Sequence, residues 1–229
     1  MKQETDLIRS RLKTPRAAAI AGIQFSVLLI AGLLLFRLSV RADPLEAGAW
    51  LKTSSNTIAL ALNLIPFAGI AFLWFIAVLR DRLGELEDRF FATVFLGSGL
   101  LFVAMLFASA AMGGGIIIAY GAKPAELLGS PAFTFARAAT YEIMNLYAVK
   151  MAAVFMISTS TLAIRTRIIA RWMSFLGYAF AVFLLLNGRY IEWILMLFPI
   201  WVLLISIHIL IDNLRRLPQA PERSLGTSI

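Results

Sequence analysis

The chain has no cysteine, so disulfides, thiolate catalysis and Cys-ligated metal are excluded. It has a single histidine, His208, so neither a histidine-rich metal site nor a paired-histidine relay can be assembled. Charged residues make up only 15% of the 229 positions, where a soluble domain carries roughly 25%. No glycine-rich loop leads into a Lys-Ser/Thr phosphate cradle, and no H-E-x-x-H helix is present. The apolar runs lack the acidic clusters that divalent ions require. No cofactor, metal or catalytic residue is therefore expected. The nearest approach to a nucleophile motif is Gly97-Ser98-Gly99. Ser98 lies about 12 Å from the end of its span and His208 about 5 Å from the end of its own, so the depths of nucleophile and base do not match.

What is abundant is hydrophobicity: 60% of the residues, with a mean hydropathy of +0.84. It comes in runs of about 20 residues, the length that crosses a hydrocarbon core roughly 30 Å thick as a helix. The expected fold is an all-α polytopic transmembrane bundle, with six spans near 17–40, 57–79, 90–112, 138–163, 168–187 and 190–211. A basic segment, 1–16, precedes the transmembrane domain 17–212, and a disordered tail, 213–229, follows it. The first run is longer than the roughly 7–15 residues of a signal-peptide core, which predicts an uncleaved anchor.

The net charge is +8 and the isoelectric point about 10.3. Without a nucleic-acid-reading fold, this surplus points to the membrane surface, where Lys and Arg gather on the cytoplasmic side. Fourteen of the 21 basic residues fall in the N-terminal flank, the 80–89 and 164–171 loops and the C-terminal tail, and five fall on the opposite side. That asymmetry predicts both termini in the cytoplasm. Trp172 is placed at the cytoplasmic interface, and Trp50, Tyr190 and Trp193 at the outer one.

The segment YEIMNLYAVKMAAVF, 141–155, interrupts the apolar pattern with Glu142, Asn145 and Lys150. Lys150 would lie about 18 Å into the fourth span. A charge at that depth costs about 2.5–3.5 kcal/mol and must face the bundle or water. Arg37, Asn63 and Glu192 occur at similar outer depths in other spans. The expectation is an outward-facing polar pocket of Lys150, Glu142, Asn145, Asn63, Arg37 and Glu192, with Arg37 paired to Glu142 and a small anionic ligand on Lys150. Pro66 and Pro199 free the carbonyls of Leu62 and Leu195, which could accept from the Lys150 ammonium. The competing expectation is a structural network that only fixes helix register.

Other features are weaker. His208 and Asp212 lie one turn apart, a spacing compatible with proton handling but more often that of a satisfied interfacial histidine. Ser158, Thr159, Ser160 and Thr161 read as hydroxyls bonded back to their helix or across to a neighbour. Gly113, Gly114 and Gly115 either bend or end the third span or, the more common role of such small residues, let neighbouring helices pack closely. The small residues Gly97, Gly99, Ala104 and Ala108 suit close helix packing, and a homodimer would use this third span. Partners are otherwise membrane lipids, with no nucleic acid.

The stretches Asn63–Leu101 and Lys150–Phe180, with Arg171-Trp172 followed by Leu176-Gly177-Tyr178, resemble a group of small bacterial multi-pass membrane proteins to which no activity is attached. The resemblance covers about a third of the chain and implies a six-helix protein of a bacterial cytoplasmic membrane. It transfers no site residues. Three classes of function remain: a transporter, channel or ligand-binding protein; a structural or accessory bundle; and a lipid-acting membrane enzyme.

Overall fold

The computed structural model describes residues 2–40, 48–83, 89–166, 170–187 and 193–215, and every regular element among them is helical. The order is α1 (Lys2–Ser39), α2 (Ala49–Leu83), α3 (Arg89–Ala122), α4 (Pro124–Leu128), α5 (Pro131–Glu142), a π-helical turn (Ile143–Ala148), α6 (Val149–Thr166), α7 (Arg171–Leu186), a 3₁₀ turn (Ile194–Met196) and α8 (Leu197–Arg215).

Among the described residues, five segments are long and apolar enough to cross a membrane: Ala17–Ser39, Trp50–Arg80, Ala92–Ala122, Pro131–Thr166 and Ile194–Arg215. The remaining apolar helix, α7, has only 16 residues. At 1.5 Å per residue it reaches about 24 Å, short of a 30 Å hydrocarbon core. The expected span 168–187 is therefore a truncated helix. At the other extreme, α2 and α3, with 35 and 34 residues, reach about 50 Å. α1 runs without a break from Lys2 through the basic N-terminal segment, and its membrane-crossing part begins at Ala17. The proposed tail beyond Arg215 and the site residue Glu192 lie outside the described residues.

Helix boundaries follow local chemistry. α5 starts at Ser130, whose hydroxyl accepts from the amide of Phe133 at 3.2 Å while Pro131 takes the first turn, where no amide donor is needed. The fourth membrane segment consequently starts at Pro131, seven residues before the expected Ala138. The three glycines Gly113–Gly115 do not end α3, which runs on to Ala122. Gly113 also lies against Leu62 of α2 and Thr140 of α5.

Between helices in lipid, association rests on packing instead of the hydrophobic effect. The centre here is aromatic. Phe25 (α1), Phe72 (α2), Phe102 (α3), Phe155 (α6) and Phe198 (α8) are all fully buried. Phe72 contacts each of the other four, with ring centroids 4.5–5.6 Å apart. Two glycines bring backbones into the core: a Cβ on Gly22 would lie 2.0 Å from the Ser206 hydroxyl, and one on Gly177 would lie 2.3 Å from that of Ser160. A smaller cluster of Leu51, Ile116 and Phe133 closes the end of the bundle that carries α4.

Candidate functional site

The polar residues within the apolar helices resolve into two separate arrangements. The first joins α1 to the π-helical turn. Arg37, in the last turn of α1, donates from Nη2 to Oδ1 of Asn145 at 2.8 Å. Asn145 is buried, and its Nδ2 donates to the carbonyl of Tyr141 at 3.0 Å. One carboxamide therefore links a guanidinium to the backbone at the point where the fourth segment changes from α to π geometry. A π-turn is wider than an α-turn and swings the following residues around the axis. Asn145 and Lys150, five residues apart, are thus placed by a local distortion instead of by uniform 3.6-residue geometry. Glu142 lies just before this turn, half-buried. The bond described for Arg37 reaches the amide of Asn145, a partner that the sequence reading did not assign to it.

The second arrangement joins α6 to α7. These helices form an antiparallel hairpin, tied near its closed end by a 2.7 Å hydrogen bond between the hydroxyls of Thr161 and Tyr178. Lys150 to Thr166 and Arg171 to Leu186 are nearly equal in length, so Lys150 is level with the end of α7. Its Nζ donates to the carbonyls of Leu184, at 3.3 Å, and Leu185.

The reason lies in helix geometry. The last four carbonyls of any helix have no intrahelical donor. In hydrocarbon each must be satisfied by protein. The carbonyl of Phe183 accepts from the backbone amide of Asn187 at 3.0 Å and from its side chain at 3.3 Å. Lys150 serves the next two, and its positive charge suits the negative end of the helix dipole. The acceptors of Lys150 are thus carbonyls at a helix end, not the proline-freed carbonyls of Leu62 and Leu195.

The other expected site residues do not join these two groups. Asn63 is exposed on the outside of the bundle, in a groove between α2 and α3 that includes Pro66 and Gly114. His208 and Asp212 are half-buried and one turn apart on α8, and His208 has no hydrogen-bond partner among the described residues. Ser98 donates to the carbonyls of Val94 at 2.7 Å and Phe95 at 3.1 Å, so its hydroxyl is engaged with its own helix. Ser158, Thr159 and Thr161 likewise bond back one turn, as expected of hydroxyls in lipid. Among the described residues no group of three or more His, Cys, Asp or Glu side chains could hold a metal ion.

Sequence reasoning missed Asn187 and the terminal carbonyls of α7. An Asn directly after an apolar run is a recognisable helix-stop signal. It also missed the bond from Trp201 Nε1 to the carbonyl of Met173, 3.2 Å, which fixes α8 against α7. No protein-family model, curated protein or solved structure matches this chain.

Proposed function

We propose that this chain is a structural or accessory protein of a bacterial cytoplasmic membrane, with six membrane-embedded segments, both termini in the cytoplasm, and a surface that does its work. One observation carries this reading: the Lys150 ammonium is engaged with the terminal carbonyls of α7. An intramembrane cation usually signals a ligand or ion path. Here it answers a demand that the short helix itself creates. The fully buried phenylalanines on the bundle axis support the same reading, because they fill the space a central conduction path would need. The charge asymmetry supports the orientation, and α7 would make the fifth, incomplete crossing.

A second reading keeps the ligand. Lys150 is only partly buried, and two carbonyls leave one of its three donors for an anion. A transporter or ligand-binding protein would then use Lys150, with Arg37, Asn145 and Glu142 nearer the entrance.

Native mass spectrometry of the full chain from gentle detergent, together with anion flux from reconstituted liposomes, tests the choice. The accessory reading expects no stoichiometric small molecule and no flux above protein-free liposomes. A bound anion present on the natural chain and lost in Lys150→Leu, in a variant that still inserts, overturns it in favour of the ligand site.

A further inference from the structure

The outward face of α2 carries Leu60, Asn63, Phe67, Ile70 and Trp74, all exposed, with Phe67 at 61% and Trp74 at 67%. Their spacing alternates three and four residues, the repeat of a helix-pairing seam. Apolar side chains there suit lipid. Asn63 does not. It lies five residues into the apolar run that starts at Ile58, about 7.5 Å deep, and has no hydrogen-bond partner among the described residues. One turn on, Pro66 lacks an N–H, so the carbonyl of Leu62 has also lost its helical donor. Both groups border one groove of about 500 Å³ between α2 and α3, floored by Ala110 and Gly114. Gly114 has nothing within 4 Å of a Cβ position, so the floor is open.

We infer that this face is a homodimer interface in which α2 pairs with α2 of a second copy. Two copies inserted with the same topology are related by a two-fold axis along the membrane normal, and each residue near the axis meets its equivalent at the same depth. A carboxamide is self-complementary: its N–H₂ donates to the oxygen of an identical group while its own oxygen accepts. Asn63 facing Asn63 therefore satisfies both, with the Leu62 carbonyl as a second acceptor. A two-fold contact also needs a projection and a matching recess on the same face. Phe67 projects one turn from Asn63, and the groove beside Pro66 and Gly114 is the recess at that depth. A lone Asn in an otherwise apolar seam is known to set register and oligomer state.

The dimer deepens the accessory reading and rests on it. Failure of the dimer leaves that reading intact, since its own test is ligand retention.

The chain has no native cysteine, so single substitutions report contacts directly. In the full-length protein, reconstituted at low protein-to-lipid ratio and oxidised with copper phenanthroline, Asn63→Cys and Phe67→Cys should cross-link to dimers. Leu101→Cys on α3, Phe175→Cys on α7 and Gln24→Cys on α1 should not. Gln24 is the sharpest control, because it also faces outward but has no proline-freed carbonyl in the preceding turn. Asn63→Leu should weaken association by about 5- to 30-fold in single-molecule photobleaching across lipid dilution. The inference is overturned if cross-linking is absent at 63 and 67, is equal at every position, or is strongest at 24 or 101. It is equally overturned if Asn63→Leu leaves the monomer–dimer distribution unchanged, the result expected were lipid the only occupant of the groove.

Discussion

Replacing Lys150 by Met gives the most direct test of how this bundle is held together. Met keeps the length of the stem and removes the ammonium. Two charge-assisted hydrogen bonds, to the carbonyls of Leu184 and Leu185, are lost. Such bonds contribute about 1.5–3 kcal/mol each. Against that loss stands the relief of about 2.5–3.5 kcal/mol for no longer holding a cation in hydrocarbon. The balance is a net destabilisation of about 1–2 kcal/mol, a factor of about 5–30 in the folded-to-unfolded ratio. The carbonyls left behind cannot turn to water, so the last turn of α7 should fray first.

Two measurements separate these levels. Unfolding in mixed micelles with increasing SDS, followed through tryptophan fluorescence, reports the global change; Trp201 is informative because it is bonded to Met173 of α7. Hydrogen exchange reports the local one, and should accelerate at the amides of residues 184–187 while those near Gly177 stay protected. Lys150→Arg, which retains a donor and the charge, should recover most of the loss. A Lys150→Met protein as stable as the natural chain, with unchanged exchange at the end of α7, would refute the claim that the ammonium holds this helix end.

The same measurements check four further expectations. Asn145→Leu should destabilise by about 2 kcal/mol, because it removes both the Arg37 bond and the bond to the Tyr141 carbonyl; an Arg37→Leu/Asn145→Leu cycle should show coupling of about 1 kcal/mol or more. Gly177→Ala should lower stability by about 1–3 kcal/mol, since the new Cβ would lie 2.3 Å from Ser160 Oγ and 2.8 Å from the Trp201 ring. Gly97→Ala, with nothing within 4 Å, should be neutral or stabilising by up to about 1 kcal/mol. Phe72→Ala should cost about 3–5 kcal/mol, because it opens a cavity at the point where four other aromatic rings meet.

The parts of this fold legible in the sequence were those set by the bilayer: runs of apolar residues long enough to cross, and a few polar residues obliged to find company. Lys150 stands out as a residue that needs company because the rule behind that choice depends only on depth, and its Nζ does have acceptors in the structure. The acceptors of Lys150 were not legible. The reading sought acceptors where proline removes an N–H, at Pro66 and Pro199, and one proline frees one carbonyl. A helix end frees four. The 16 residues between the Arg171 start and the Asn187 stop already imply a helix too short to cross, whose end must lie at the depth of an antiparallel neighbour. Counting back the same distance along α6 leads to Lys150. The π-turn was beyond this reasoning, since no residue pattern in 143–148 marks it and the Asn145 carboxamide beside it, accepting from Arg37 and donating to the Tyr141 carbonyl, joins groups 108 and 4 residues away. The glycines of α3 show the limit of propensity: three in a row favour a helix end, yet α3 runs unbroken to Ala122 with Gly113 packed beside Leu62 and Thr140. Within a bilayer the unmet backbone group is the strongest local demand, and side chains such as Lys150 are placed to answer it.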